Sequence, residues 1–152
     1  METSAVTTNY CFVAAVSAWL VAQATKMLCG FSQTRRLDFR YLVSTGGMPS
    51  AHSASVAGLS TAIGLTEGLN SSIFALSIGF ALIVMFDAST VRRATGLQAS
   101  LLNEIIDELF KEHHLSERKL KELLGHTRFE VFMGVLMGIL VALFVASWSV
   151  WY

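Results

Sequence analysis

The chain runs to 152 residues, 53% of them hydrophobic and only 14% charged, with eleven Lys and Arg set against eleven Asp and Glu. Soluble domains carry roughly 25% charged residues, so these figures, with a mean hydropathy of +0.56, exclude an ordinary water-soluble globule and a multidomain chain alike. What remains is a small all-α integral membrane protein with residues 1–152 forming one domain, and membrane lipids rather than nucleic acid are its expected partners.

The first apolar stretch, Tyr10 to Cys29, holds a single charge, Lys26, near its end and is long enough to cross a bilayer, which takes about 20 residues. Its flank, Met1 to Asn9, contains Glu2 and no Lys or Arg, whereas a cleaved secretory signal begins with a basic region. The stretch is therefore expected to remain as a span. Cys11 and Cys29 stand at its two ends, roughly 27 Å apart at ~1.5 Å of rise per residue, too far for a disulfide, so both are read as packing thiols. The second and third stretches, Ala51 to Leu65 and Ser72 to Phe86, are shorter, rich in Gly, Ser and Ala, and separated by Glu67-Gly68-Leu69-Asn70. Small residues let helices approach closely, and these two are expected to form a buried pair.

Further along, Leu97, Leu101, Leu102, Ile105, Ile106, Leu109 and Phe110 recur at helical spacing against Glu104, Asp107, Glu108 and Glu112, which predicts an amphipathic helix over 97–112. Its polar face is acidic where a membrane-surface helix would prefer Lys and Arg. Docking on the protein's own bundle, or on a second copy as a homodimer contact, is the expectation. A shorter helix, N-capped by Ser116 and stopped by Gly125, completes a cytoplasmic insertion over 97–125. The last apolar stretch, Phe129 to Trp151, is uncharged apart from Glu130 and long enough to span.

About four transmembrane helices put both termini on one side of the membrane. The other side receives the loops Phe31 to Ser50 and Ala88 to Arg128, which hold ten of the eleven basic residues. The positive-inside rule assigns those loops to the cytoplasm, here of a bacterium whose inner membrane the bundle crosses with both termini outside. Tyr10, Trp148, Trp151 and Tyr152 would then form an outer aromatic belt.

Two segments carry chemistry, and both face inward in this topology. Gly46-Gly47-Met48-Pro49-Ser50-Ala51-His52-Ser53 combines glycines that free the backbone, a proline suited to a helix start and a capping serine whose neighbouring N–H groups can face an anion. Within it, Gly47 and Ser50 are the candidate phosphate contacts. His52, one turn in, is placed to donate a proton to a leaving oxygen. Downstream, Gly125-His126-Thr127-Arg128-Phe129-Glu130 places a carboxylate four residues after a histidine, on the same helix face, where it can orient the imidazole as a nucleophile. Arg92 and Arg93 supply the forked charge that phosphate prefers. No zinc spacing accompanies His52, His113, His114 and His126, so neither a metal nor a cofactor is expected. Each element also has a plainer reading: a turn for Gly46-Gly47, a surface pair for His126 and Glu130, a topology signal for the arginines.

Taken together these segments resemble the divergent branch of the PAP2 superfamily, the type 2 phosphatidic acid phosphatases related to vanadium-dependent haloperoxidases. The resemblance runs from about Lys26 to Gly138 and includes Val84-Met85-Phe86-Asp87-Ala88, Val91-Arg92-Arg93-Ala94-Thr95-Gly96-Leu97-Gln98-Ala99 and Leu102-Asn103. The superfamily's Pro-Ser-Gly-His motif matches Pro49-Ser50-Ala51-His52, which implies that His52 protonates the leaving group. The motif of arginine, histidine and a carboxylate four residues on implies Arg92 or Arg93 as phosphate ligand, His126 as nucleophile and Glu130 as its orienting group, with Asp87 in support. The chain departs from the pattern in several places: Ala51 replaces the glycine of the first of these motifs, Glu130 replaces the aspartate of the second, and the site is expected on the cytoplasmic face where many bacterial relatives work on the outer one. After Lys26 the arginine position is Gln33, with Arg35 and Arg36 nearby and no proline, and the arginines are separated from His126 by the 97–125 insertion. The resemblance implies a metal-independent acid phosphatase acting on a lipid-linked phosphate monoester or diphosphate through a phosphohistidine. The alternative is a noncatalytic membrane protein that binds anionic lipid headgroups or scaffolds a partner.

Overall fold

The computed structural model describes residues 9–34, 47–109 and 126–149. All secondary structure among them is helical: α1 (Tyr10–Thr34), α2 (Ala51–Glu67), α3 (Ser72–Ser89), α4 (Val91–Leu109) and α5 (Arg128–Ser149). The starts of α1, α2 and α3 each follow from a local polar group that satisfies an otherwise orphaned N–H. Asn9 accepts from the Phe12 amide at 3.0 Å, Ser50 caps α2 and Ser71 caps α3. Gly68, at φ 85°, lets the chain leave α2 and re-enter α3 within four residues, because glycine alone takes that conformation without a Cβ penalty.

Three helices are long and apolar enough to cross a membrane, over Tyr10–Ser32, Ser72–Ile106 and Arg128–Trp148. The second of these runs through α3 and α4, which only Thr90 separates. α2, at 17 residues, has a length of roughly 26 Å at ~1.5 Å per residue, just short of the ~30 Å hydrocarbon thickness.

α2 is the hub. It packs against α1 on one side, α5 on another and α3 on a third, while α3 and α5 hardly touch one another. Small residues recur every fourth position on the meeting faces: Ala14, Ala18 and Ala22 on α1, and Gly134, Gly138 and Ala142 on α5. α2 presents Ala51, Ala54, Gly58 and Ala62 to them. A Cβ at Gly134 would run into the Ser50 carbonyl, one at Gly138 into the Ala54 carbonyl, and one at Gly58 would come within 3.0 Å of the Ala18 methyl. Large apolar side chains point the other way, with Leu76, Ile83, Phe86, Leu140 and Phe144 all exposed, as a lipid-facing surface requires. Hydroxyls join the helices at depth: Tyr10 donates to the Ala142 carbonyl at 2.7 Å, Ser55 to Ala15 at 3.2 Å and Ser60 to Ser77 at 3.1 Å.

Several helices extend past the stretches expected from hydropathy, α1 beyond Cys29 and α3 beyond Phe86, since helix persists into polar residues that hydropathy does not count. α2 and α3 do not form an equally buried pair. α3 buries only Ser77, Ala81 and Ala88, because its neighbours reach it from one side. The helix expected over 97–112 begins at Val91 and is described to Leu109, and Leu97, Leu101, Leu102 and Ile105 lie exposed on it. The helix expected from Ser116 to Gly125, the belt residues Trp151 and Tyr152, and Arg35 and Arg36 lie outside the described residues.

Close backbone contact makes a specific demand on sequence. Gly138→Ala is expected to lower the thermal midpoint in detergent, at a cost of about 1–3 kcal/mol from overpacking. Gly79→Ala, at a helical glycine with nothing within 4 Å, is expected to leave the midpoint unchanged or raise it. Equal shifts in the two variants would contradict the packing described.

Candidate functional site

The end of the bundle that collects the start of α2, the end of α3, the start of α5 and the Lys26 level of α1 holds the candidate site. Its framework is backbone. The Ser50 amide donates to the Glu130 carbonyl at 3.1 Å, and the His126 amide donates to the Ala88 carbonyl at 3.1 Å. Three segments remote in sequence are thereby pinned to one another: the Pro-Ser-Ala-His turn, the Asp87-Ala88 end of α3 and the histidine that precedes α5.

His126 is 2% exposed, and its Nδ1 lies 3.2 Å from Glu130 Oε2. The same carboxylate oxygen accepts from the Thr127 amide at 2.8 Å, while the Thr127 hydroxyl accepts from the Glu130 amide at 3.2 Å. Thr127 and Glu130 thus form a reciprocal capping box at the start of α5, and the box fixes the carboxylate that faces the imidazole. An ionised carboxylate only accepts, so in this pairing the ring donates from Nδ1. An imidazole held through Nδ1, in one orientation, is set up to act as a base or a nucleophile.

Lys26, 3% exposed on α1, attracts Glu130 electrostatically. A buried ammonium is costly without a counter-charge, and Glu130 is the anion whose charge acts on Lys26 at this end of the bundle. Ser50 is fully buried. Its Oγ accepts from the Ser53 amide at 3.4 Å and the Ser53 hydroxyl at 2.9 Å, so its role as an N-cap is visible. Gly47 adopts φ 87°, the backbone freedom anticipated for the turn that leads into α2. His52, in the first turn of α2, is exposed, whereas its neighbours Ala51, Ser53 and Ala54 are buried. The two histidines sit at the same end of the bundle in different surroundings.

Asp87 is half-buried beside Ala88. Arg92 and Arg93 occupy the first turn of α4, one turn beyond Ala88, which brings their backbone to this end of the bundle; their side chains are outside the described set, as are Arg35 and Arg36 entirely. Three polar positions were given no site role in the reading of the sequence. Gln23, buried one turn before Lys26 on α1, and Asn103, buried on α4, were legible as polar residues inside helical apolar patterns. Thr127 was legible as the first member of a Thr-x-x-Glu box preceding an apolar run.

A family model described as the divergent PAP2 family matches residues 7–141. The chain is 43% identical over 150 residues to the uncharacterized membrane protein YuiD of Bacillus subtilis (strain 168), with 91% of this chain and 95% of that protein covered. No solved structure matches.

The link between Lys26 and Glu130 is open to a double-mutant cycle. Glu130→Gln keeps an oxygen for the Thr127 amide but strands the buried ammonium, and it is expected to cost about 3 kcal/mol in detergent unfolding. Adding Lys26→Met is expected to recover at least half of that loss. If the double variant is no more stable than Glu130→Gln, the two groups are not coupled.

Proposed function

The chain belongs to the divergent PAP2 family, and from that membership and the geometry around His126 we propose that it is an integral membrane phosphohydrolase acting on a lipid-linked phosphate monoester or diphosphate. The observation that carries the reading is the buried His126 imidazole held through Nδ1 by a carboxylate that a capping box fixes in turn. In the reaction, Nε2 of His126 attacks phosphorus and the bond to the leaving oxygen breaks. That oxygen takes a proton from His52. Water then attacks the phosphohistidine, giving up a proton to His52 as its phosphoryl group is released as inorganic phosphate. Neither step requires a metal. Lys26, Arg92 and Arg93, with Arg35 and Arg36 from the adjoining loop, supply positive charge against the phosphate, and Gly47 and Ser50 shape the turn that approaches it.

The topology belongs to the same proposal. α2 and α3 form a tight hairpin, and burial of α2 among three neighbours supports it as a fourth crossing whose small polar residues never meet lipid. With four crossings, the basic loops and the site face the cytoplasm of a bacterial inner membrane and both termini lie outside. One observation favours a second reading. His52 is exposed while His126 is buried, an arrangement that also suits a protein that binds an anionic headgroup without turning it over.

Phosphate release from lysophosphatidate by the purified protein in detergent separates the two readings. His126→Ala is expected to abolish release and His52→Ala to reduce it by about 10²-fold or more, and vanadate is expected to inhibit the wild type. Activity that is unchanged in both variants would refute the catalytic assignment. Headgroup binding that survives His126→Ala but is lost on replacing Arg92 and Arg93, with no turnover in any protein, would establish the binding reading.

A further inference from the structure

Between α2, α3 and α5 lies a cavity of about 510 Å³, within the range of small-molecule sites. It exists because α3 and α5 each pack on α2 and hardly on each other, so the seam between them stays open. Ala57 and Thr61 of α2 form its floor, Ile78 and Met85 of α3 one wall, and Val135 and Ile139 of α5 the other. The walls are apolar apart from two hydroxyl residues on α2, and the Ser60 hydroxyl is already spent on the Ser77 carbonyl at 3.1 Å. Ile78 at its edge and Leu65 and Leu69 at its far end are exposed. Ile78 lies on α3 and Val135 and Ile139 on α5, both long and apolar enough to cross a membrane, so the cleft offers an apolar surface along its sides.

Its length and position identify the occupant. The cavity runs along α2 from Ala57 to Leu65 and along α3 from Phe74 to Met85, roughly 12 and 16 Å at ~1.5 Å per residue. Its far end, at Leu65, is two residues from the end of α2, so the cleft reaches past the midplane of a ~30 Å hydrocarbon core. At the far end Phe74 and Leu69 lie over Gly64, where an added Cβ would come within 3.0 Å and 3.1 Å of them. At the near end, Met85 stands one turn before Ala88, the residue whose carbonyl holds the His126 amide, and Ala57 stands two turns below Ser50. A chain that enters this cleft with its head at the near end has that head within about two turns of the level of His126 and Glu130.

We propose that the cleft between α2, α3 and α5 is a tail subsite, which takes one hydrocarbon chain of the lipid whose phosphate is presented to the His126 end. The proposal rests on the phosphohydrolase reading for what happens at the head and stands on the cleft alone for where the tail lies. It makes the preferred ligand a phosphate on a single long chain entering sideways from the bilayer, and it explains why α3 is held away from α5.

The test uses lysophosphatidate with a diazirine on the terminal carbon of its acyl chain, photolysed with the full-length protein in phosphatidylcholine vesicles. Labelling is expected at Leu65, Leu69 and Phe74, is competed by unlabelled lysophosphatidate, and falls about 10-fold in Thr61→Phe, with Ile78→Trp as the second cleft-filling variant should the first fail to fold. In the same variants kcat/KM for lysophosphatidate is expected to fall by about 10-fold while hydrolysis of a water-soluble aryl phosphate is retained. Far-end labelling with no phosphate release from either compound would sink the phosphohydrolase reading and leave the tail subsite standing. Uncompeted label spread over Leu76, Ile83 and Leu140 would overturn the subsite whatever the turnover. So would an Ile78→Cys disulfide between two copies that blocks labelling, since the cleft would then belong to a protein interface.

Discussion

Where Gly134 and Gly138 of α5 face Ser50 and Ala54 of α2, nothing larger than hydrogen separates one backbone from the other. Lipid tails are as apolar as leucine, so helices in a bilayer gain little from burying large side chains and associate instead through close packing and interhelical hydrogen bonds. The glycines make that approach possible, and the approach brings the Ser50 amide to the Glu130 carbonyl. An N-cap residue has an orphan donor to satisfy, and here the neighbouring helix satisfies it. Register between α2 and α5 is therefore set at the site itself, and a slip of one turn would break both the small-residue contact and the bond that links the two motifs.

Glu130 concentrates several demands in one side chain. As the N3 member of the capping box it receives the Thr127 amide, as a neighbour of His126 it meets Nδ1, and as an anion it offsets the buried Lys26. A carboxylate in the first turn of a helix also lies at the positive end of the macrodipole. These interactions all hold the carboxylate in one place. The plain structural role and the orienting role are thus not rivals, since the cap is what gives the carboxylate a fixed direction from which to hold the ring. Glutamate, longer than aspartate by a methylene, suits a residue that must reach back to Thr127 and sideways to His126.

Much of this was legible in the sequence, for identifiable reasons. Hydropathy located the apolar cores of α1, α3 and α5 because each exposes leucine, isoleucine and phenylalanine to lipid. The pairing of His126 with Glu130 was expected from their spacing, although His126 precedes α5 instead of lying on it and the capping box is what turns the carboxylate back to the ring, and Ser50 as a cap followed from its place before an apolar run. Membership of the divergent PAP2 family followed from motifs that local geometry makes distinctive. The arrangement of the helices was less accessible. The composition of α2 and α3 looks alike, yet α2 is surrounded and α3 is not, a difference made by which helices return to α2 later in the chain. The every-fourth-residue stripes on α1 and α5 were hidden by the larger residues between them, which dominate a hydropathy average but face outward. Lys26 read as a charge near a span's end, and only the packing of α1 beside α5 relates it to Glu130.

The unequal surroundings of the two histidines fit the unequal parts they take in the proposed reaction. A nucleophile gains from being fixed, because a near-attack geometry held in advance removes much of the entropic cost of reaching it, and His126 is buried, pinned at its amide and oriented at its ring. A general acid that must later serve as a base has to exchange its proton with water between half-reactions, and burial would hinder that exchange. His52 is in the first turn of a helix whose cap is bonded to the backbone of α5, so its root is fixed while its side chain is exposed. Rigidity at the root and access at the ring are compatible there because the helix start holds the backbone and leaves the side chain on the outer face. The close contact of α2 with α5 thus positions both imidazoles, one by enclosing it and the other by anchoring the turn from which it projects.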